Sequence, residues 1–288
     1  AANLRSGRSS VIGVVVPQID SPEHAPLVQA MYDATREAGY SIQLACSYGE
    51  TGQEAQAIAR LLSCRVDSLM LNTSGKPLSE ESLGLCRRFI SMGSPLICHG
   101  DVPVELAVDR LQLRNDAAMA KAIRYLVTKG HQRIAFLGAS PEDAAMRHRL
   151  VGYRQALSEA GVPFREDFIL TGEPSSNELM SRLSDLMIST PQREKPTALV
   201  AGSDLLAVAA MKTLGRLSLK VPEHVAVIGF GDAPVASLVS PALTTLRQPV
   251  VEMARDCTGL MIERLRGLDK SGPQTLYYEP KLVIRDSA

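Results

Sequence analysis

The sequence predicts an α/β protein made of two doubly wound parallel-sheet lobes joined by three crossovers. Short β-branched apolar runs alternate with amphipathic helical patterns almost end to end, and this alternation runs twice in series. A helix and some short strands at the C-terminal end then belong to neither run. Alternation of this kind marks βαβ units, because parallel strands need a crossover to return the chain to the same end of the sheet. A chain of 288 residues, 45% hydrophobic and 22% charged, has ample apolar surface to bury a core in each lobe.

Taken in order, Val11–Val16 is a continuous apolar run suited to a strand buried on both faces. Residues 22–38 read as a helix closed by Gly39. Ser41–Cys46 is the next strand, and Thr51-Gly52-Gln53-Glu54 has the form of a capping box opening a helix to Cys64. Strand 68–71, helix 79–92 and strand 95–98 follow, then a short apolar segment at 106–108. The pattern restarts at Asn115, a plausible N-cap for a helix over 116–129 that Gly130 ends. Strand 133–137, helix 143–160, strand 168–170, helix 176–189, strand Ala198–Ala201, helix 204–217 and strand 225–229 complete the second run. The two runs are alike in pattern only, with no sequence repeat.

Strand 243–247, helix Val250–Arg266 and strands Thr275–Tyr278 and 282–284 remain. These leftovers predict three chain crossings between the lobes, which make a hinge and a ligand cleft. The expected boundaries are 1–10 for a leading linker, 11–113 plus 247–272 for the N-terminal lobe, and 114–246 plus 273–288 for the C-terminal lobe.

Composition narrows the function. With 31 basic and 31 acidic residues the net charge is zero, whereas a domain that grips DNA alone carries a basic footprint. Only residues 1–10, with Arg5 and Arg8, lean basic. No stretch is apolar enough to span a membrane, and the polar start, Ala1-Ala2-Asn3-Leu4-Arg5, is no secretory signal. It opens without Met, as a fragment or processed form would. The five cysteines form no CxxC pair and no metal-spaced cluster, so no metal is expected and a reducing cytoplasm is. No GxxxxGK[ST], no GxGxxG after a strand and no GxSxG elbow occurs, so neither cofactor nor catalysis is expected.

Four segments, in order along the chain, carry a family resemblance. Leu4-Arg5-Ser6-Gly7-Arg8-Ser9 resembles the segment joining a minor-groove hinge helix to the first strand in the lactose/galactose repressor family. Gly130-His131-Gln132-Arg133-Ile134 resembles that family's G-H-x-R-I turn, and residues 221–230 (VPEHVAVIGF) its V-P-x-D-V-x-V-x-G-F/Y strand entry. Residues 241–249 (PALTTLRQP) resemble its P-x-L-T-T-x-x-Q-P crossover. The resemblance implies a periplasmic-binding-protein-like fold of type I. It also implies a homodimer, a helix-turn-helix head absent from this sequence, and a small sugar-like effector whose binding in the cleft controls operator DNA. Leu4 matches the leucine that such regulators wedge into the minor groove, which makes it the candidate DNA contact, and residues 1–10 become a remnant of the hinge helix and linker.

Candidate ligand residues follow from the loops at strand carboxyl ends. Arg149, three residues before Gly152-Tyr153, matches the family arginine that grips ligand oxygens with its fixed fork of donors. Asp20, Glu23 and His24 stand in the first loop, the last two where most relatives carry aromatics. Ser203 stands where many relatives have Asn, with Asp204 after it, though the pair is equally a plain N-cap. Relatives place an acid at Gly231, which here appears only at Asp232, and Gln248 matches a polar crossover residue. Ser74 and Asp101 are further candidates, with Asn72, Lys76 and His99 beside them. Arg114 where relatives have Asp, together with Gly231, tilts the expected cleft toward positive charge and hence toward an acidic or phosphorylated sugar. The alternatives are a periplasmic sugar-binding protein of a transporter, which would need a signal peptide, and an enzyme.

Overall fold

A computed structural model describes residues 9–73, 75–140, 142–172 and 177–288. In chain order the elements are β1 (Val11–Val16), α1 (His24–Glu37), β2 (Ser41–Cys46), α2 (Thr51–Ser63), β3 (Ser68–Asn72), α3 (Glu80–Ser91), β4 (Leu96–His99) and β5 (Asp109–Leu113). Then come α4 (Asn115–Thr128), β6 (Ile134–Gly138), α5 (Ala144–Glu159), a 3-10 turn (Glu166–Phe168), β7 (Ile169–Thr171), α6 (Asn177–Ser189), β8 (Ala198–Ala201) and α7 (Asp204–Arg216). The chain closes with β9 (Ala226–Gly231), α8 (Val235–Leu238), β10 (Thr244–Arg247), α9 (Val250–Arg266), β11 (Thr275–Tyr278) and β12 (Lys281–Val283).

These elements form two compact units. The first comprises Ala1–Leu113 with Pro249–Tyr278, the second Arg114–Gln248 with Glu279–Ala288. The first unit's sheet runs β11-β5-β4-β3-β1-β2 and is parallel throughout. The second runs β12-β10-β9-β8-β6-β7, parallel except that β12 is antiparallel to β10. In each sheet the first strand of the run lies inside and the order reverses beside it, as doubly wound folds require.

Burial on both faces explains the near-continuous apolar strands. In the first unit one face packs Val15, Leu69 and Leu71 against Ile58 and Phe89, and the other packs Ile12, Val14 and Met70 against Met31, Met253 and Met261. In the second, Ile134, Phe136 and Tyr153 share one face, while Leu137, Leu183, Leu199 and Leu214 share the other. Gly152 is required where α5 crosses α4, because a Cβ there would collide with the Asp116 carbonyl.

Several expectations need correction. Thr275–Tyr278 does not join the C-terminal lobe, because β11 pairs with β5 and so extends the first sheet; the last boundary falls after Tyr278 rather than before residue 273. Arg247 and Gln248 stay with the second unit, since Arg247 is still paired with Gly231 in the β9–β10 ladder. The apolar segment at 106–108 forms no strand: Leu106 and Val108 are buried in the loop that leads into β5, which begins at Asp109. Thr51 is no cap: Glu50 holds that position without a side-chain bond, and Glu54 turns inward to Ser82. Asn115 is the first helical residue and not the N-cap, its carboxamide being used elsewhere.

Candidate functional site

Each unit gathers polar side chains at the carboxyl ends of its strands, where the chain turns from strand to helix. In the first unit, Asp20 is exposed on the loop after β1, while Glu23 and His24 are half-buried at the start of α1. Glu23 occupies the N-cap position without capping, and His24 Nδ1 lies 3.0 Å from the Gln18 carbonyl, which fixes its ring. Asn72 and His99 are cross-strand neighbours at the ends of β3 and β4. Asn72 is 4% exposed, yet its Nδ2 makes no hydrogen bond among the described residues; the same holds for His99 Nδ1 and for Ser47 Oγ after β2. Burial, helped by the adjacent His24, pushes the His99 imidazole down to about 4, so it is neutral at physiological pH.

Close backbone approach shapes this corner. Thr73 N and Oγ1 both donate to the His99 carbonyl, at 3.0 and 3.4 Å. Gly100 follows with φ of 109°, and a Cβ there would strike Thr73 Oγ1. Lys76 is paired with Glu50 at 3.5 Å, and Asp101 is half-buried. Ser74 and Leu4 lie outside the described residues.

In the second unit, Arg149 is 3% exposed and therefore no surface residue. Its Nε donates to Asn115 Oδ1 at 3.0 Å, Nη1 donates to the Gly202 carbonyl, and the guanidinium lies 3.7 Å over the Phe230 ring. Asn115 thus gives its carboxamide to orienting Arg149, a pairing across 34 residues that helix-cap logic misses. Arg147 is exposed and donates to the Glu142 carbonyl at 2.6 Å.

Ser203 caps α7, accepting from Leu206 N at 3.3 Å. Asp204 is buried at 3% exposure and accepts from Thr245 Oγ1 at 2.5 Å and Ala233 N at 2.6 Å. It knits α7 to β10 and to the turn after β9. Gly231 has φ of 130°, and its Cβ would sit 3.3 Å from Asp204 Oδ2. Asp232 is clamped by Arg247 at 2.5 Å and Arg285 at 2.6 Å. Gln248 is buried, and its Nε2 has no partner among the described residues. Arg114, exposed, faces Asp116 at 3.5 Å. Of the charges expected to make the site positive, Arg114 is therefore offset locally, while the acid displaced from 231 to 232 is spent on two arginines.

Thr245 is the residue that sequence reading missed. Its signal was the second threonine of Leu243-Thr244-Thr245, where alternation turns one side chain toward Asp204 and the other toward Arg285 N. Among the described residues no group of His, Cys, Asp or Glu is arranged to hold a metal, and no helix is long and apolar enough to cross a membrane.

Comparison with known proteins identifies this architecture. Residues 123–288, more than half the chain, match the family model described as periplasmic binding protein-like domain. The HTH-type transcriptional repressor PurR of Yersinia pestis bv. Antiqua (strain Antiqua) is 27% identical over 292 residues, covering 100% of this chain and 82% of the repressor. A LacI-family sugar-binding transcriptional regulator from Escherichia coli, solved in complex with phosphate, is 30% identical with a TM-score of 0.79, covering 98% of this chain and 99% of that one. The transcriptional regulator CelR, solved with cellobiose, is 27% identical with a TM-score of 0.82, covering 100% of this chain and 88% of that one. The chain belongs to the periplasmic-binding-protein-like family, as the effector-binding domain of a LacI/GalR-type transcriptional regulator.

Proposed function

We propose that this domain senses a small carbohydrate-like effector in the cytoplasm, and that effector binding controls the grip of a homodimeric regulator on operator DNA. The observation that carries the reading is a set of amide and imidazole side chains at strand ends, Asn72, His99 and Gln248, each with one buried nitrogen that has no partner among the described residues. A buried polar atom left unpaired is unfavourable by about 1–3 kcal/mol, so such groups persist where something else satisfies them. Neutral donors and acceptors of this kind suit sugar hydroxyls. Arg149, held by Asn115 and Phe230, and the loop residues Asp20, Glu23, His24, Ser203, Asp101 and Ser74 complete the candidate contacts, while Asp204 and Asp232 act chiefly by holding the second unit's loops. Leu4 remains the candidate minor-groove residue.

An acidic or phosphorylated sugar is the second reading, favoured by the buried guanidinium of Arg149 and by the phosphate bound to the Escherichia coli relative. A transporter binding protein is disfavoured because the relatives named above are regulators. Catalysis forms no part of the proposal.

Thermal shift with cellobiose, gluconate, glucose 6-phosphate and inorganic phosphate tests the effector class. Stabilisation by the neutral sugar is expected, weakened about tenfold in affinity by Asn72→Ala, the loss of one buried hydrogen bond to ligand. Response only to the acidic probes selects the second reading; no response to any sugar across a wider panel would refute both.

A further inference from the structure

Where the chain enters the first unit, two successive backbone N–H groups converge on one carboxylate. Ser9 N donates to Asp67 Oδ1 at 2.9 Å, and Ser10 N donates to Asp67 Oδ2 at 2.7 Å. Ser10 has φ of 57°, the left-handed conformation. Consecutive N–H groups around such a residue form a concave nest that favours an anion, and here Asp67 fills it. Further bonds lock the same two residues: Val11 N donates to Ser9 Oγ at 3.2 Å, and Ser41 N donates to the Ser10 carbonyl at 2.9 Å. Asp67 is itself fixed, its N–H donating to the Val11 carbonyl at 2.8 Å.

Asp67 sits immediately before β3, whose last residue is Asn72. At the usual strand rise the two side chains lie about 17 Å apart along one rigid, buried element. A strand paired on both sides with β1 and β4 has little freedom to bend. One end of β3 therefore carries a candidate effector contact, and the other holds the chain segment that leads into the unit.

We propose that Asp67 is a positioning residue, which fixes the direction of the incoming segment and ties it to the effector end of β3. This rests on the regulator reading, in which the DNA-binding segment precedes Ser9. A left-handed serine held by a bidentate carboxylate resists rotation about its backbone, as a freely jointed linker would not. Without the carboxylate, the nest loses its anion and Ser10 loses the contact that favours its conformation.

The test uses the full-length gene product, with Asp67→Asn and Asp67→Ala. Both changes lie at a half-buried position outside the apolar core. Hydrogen exchange followed by mass spectrometry reads the amides of residues 9–10, and binding is measured to DNA sites that the wild-type protein selects from a random pool. Exchange about tenfold faster at residues 9–10, with affinity for the selected DNA about tenfold weaker in both variants, is the expected result, matching the loss of one to two charge-assisted hydrogen bonds. Unchanged exchange overturns the anchor. Faster exchange with unchanged DNA affinity overturns its role in positioning. If the wild-type protein selects no DNA sequence, the regulator reading fails and takes that role with it.

Discussion

In the second unit Arg149, Asp204 and Asp232 each engage several partners, whereas in the first unit Ser47, Asn72 and His99 bury polar atoms that meet none among the described residues. The two sheets share one strand order, so topology does not explain the difference. Charge does. A buried guanidinium or carboxylate must be compensated within the fold, because leaving it unpaired costs several kcal/mol. A neutral carboxamide, hydroxyl or imidazole can sit unpaired at a far smaller cost, and it keeps its donor or acceptor for another molecule. The second unit thus presents a stiffened frame around its charges, while the first presents neutral groups suited to hydroxyl oxygens. Gln248 is the exception within the second unit, and it stands at its last residue before the chain crosses over.

Removing a charge from the second unit's frame should have the largest effect. Asp204→Ala leaves the Thr245 hydroxyl and the Ala233 amide without their acceptor, and about 3 kcal/mol of stability should be lost in chemical denaturation. Hydrogen exchange should place that loss in α7, β9 and β10, with β1–β4 unaffected. Equal loosening of both units would show that the frame is not local.

The first unit should respond to pH through a residue away from the strand ends. Glu54, 2% exposed on α2, rests against Ser82 of α3 with no cation paired to it among the described residues. Burial raises its carboxyl to about 7, only partly offset by the Ser82 hydrogen bond. In the unfolded chain it titrates near the usual value of about 4.3. Between these two values the folded state holds a proton that the unfolded chain has released. Stability therefore falls as pH rises through that window, by about 2 kcal/mol allowing for some solvent access, and changes little above it. Glu54→Gln should flatten this part of the profile and be the more stable protein at pH 8. An unchanged slope in the variant would assign the pH dependence to other groups.

The smallest expected effect lies where the units should not differ. Ser79 caps α3 in the first unit and Asp143 caps α5 in the second, each accepting one backbone N–H at 3.0 and 3.1 Å. Ser79→Ala and Asp143→Ala should each cost about 1 kcal/mol in thermal denaturation. A clear inequality would mean that one cap also serves its strand-end loop.

Much of the fold was legible because it is written in local periodicity. Val11–Val16, Ser41–Cys46, Ala198–Ala201 and Val250–Arg266 were bounded correctly from apolar runs and turn residues alone. Failures came where a local signal had a distant competitor. Glu54 looks like half of a capping box until α3 packs against α2 and takes its carboxyl. Asn115 looks like a cap until Arg149, remote in sequence, takes its carboxamide. Strand Thr275–Tyr278 was visible as a strand, but nothing in its own residues says which sheet it joins; pairing with Arg110–Leu113 decides that.

The candidate site divides in the same way. Sequence alone determined the α/β class, the two runs, the repressor-like motifs and the short set of polar residues at strand ends, because period, spacing and residue type are properties of the chain itself. Only the tertiary structure decided that Arg149 is buried over Phe230, that Asp204 and Asp232 are tied to partners, and that Asn72 and His99 stand side by side, each with a nitrogen unpaired among the described residues. Burial and pairing depend on segments distant in sequence, and an ionised group's need for compensation appears only once its neighbours are in place.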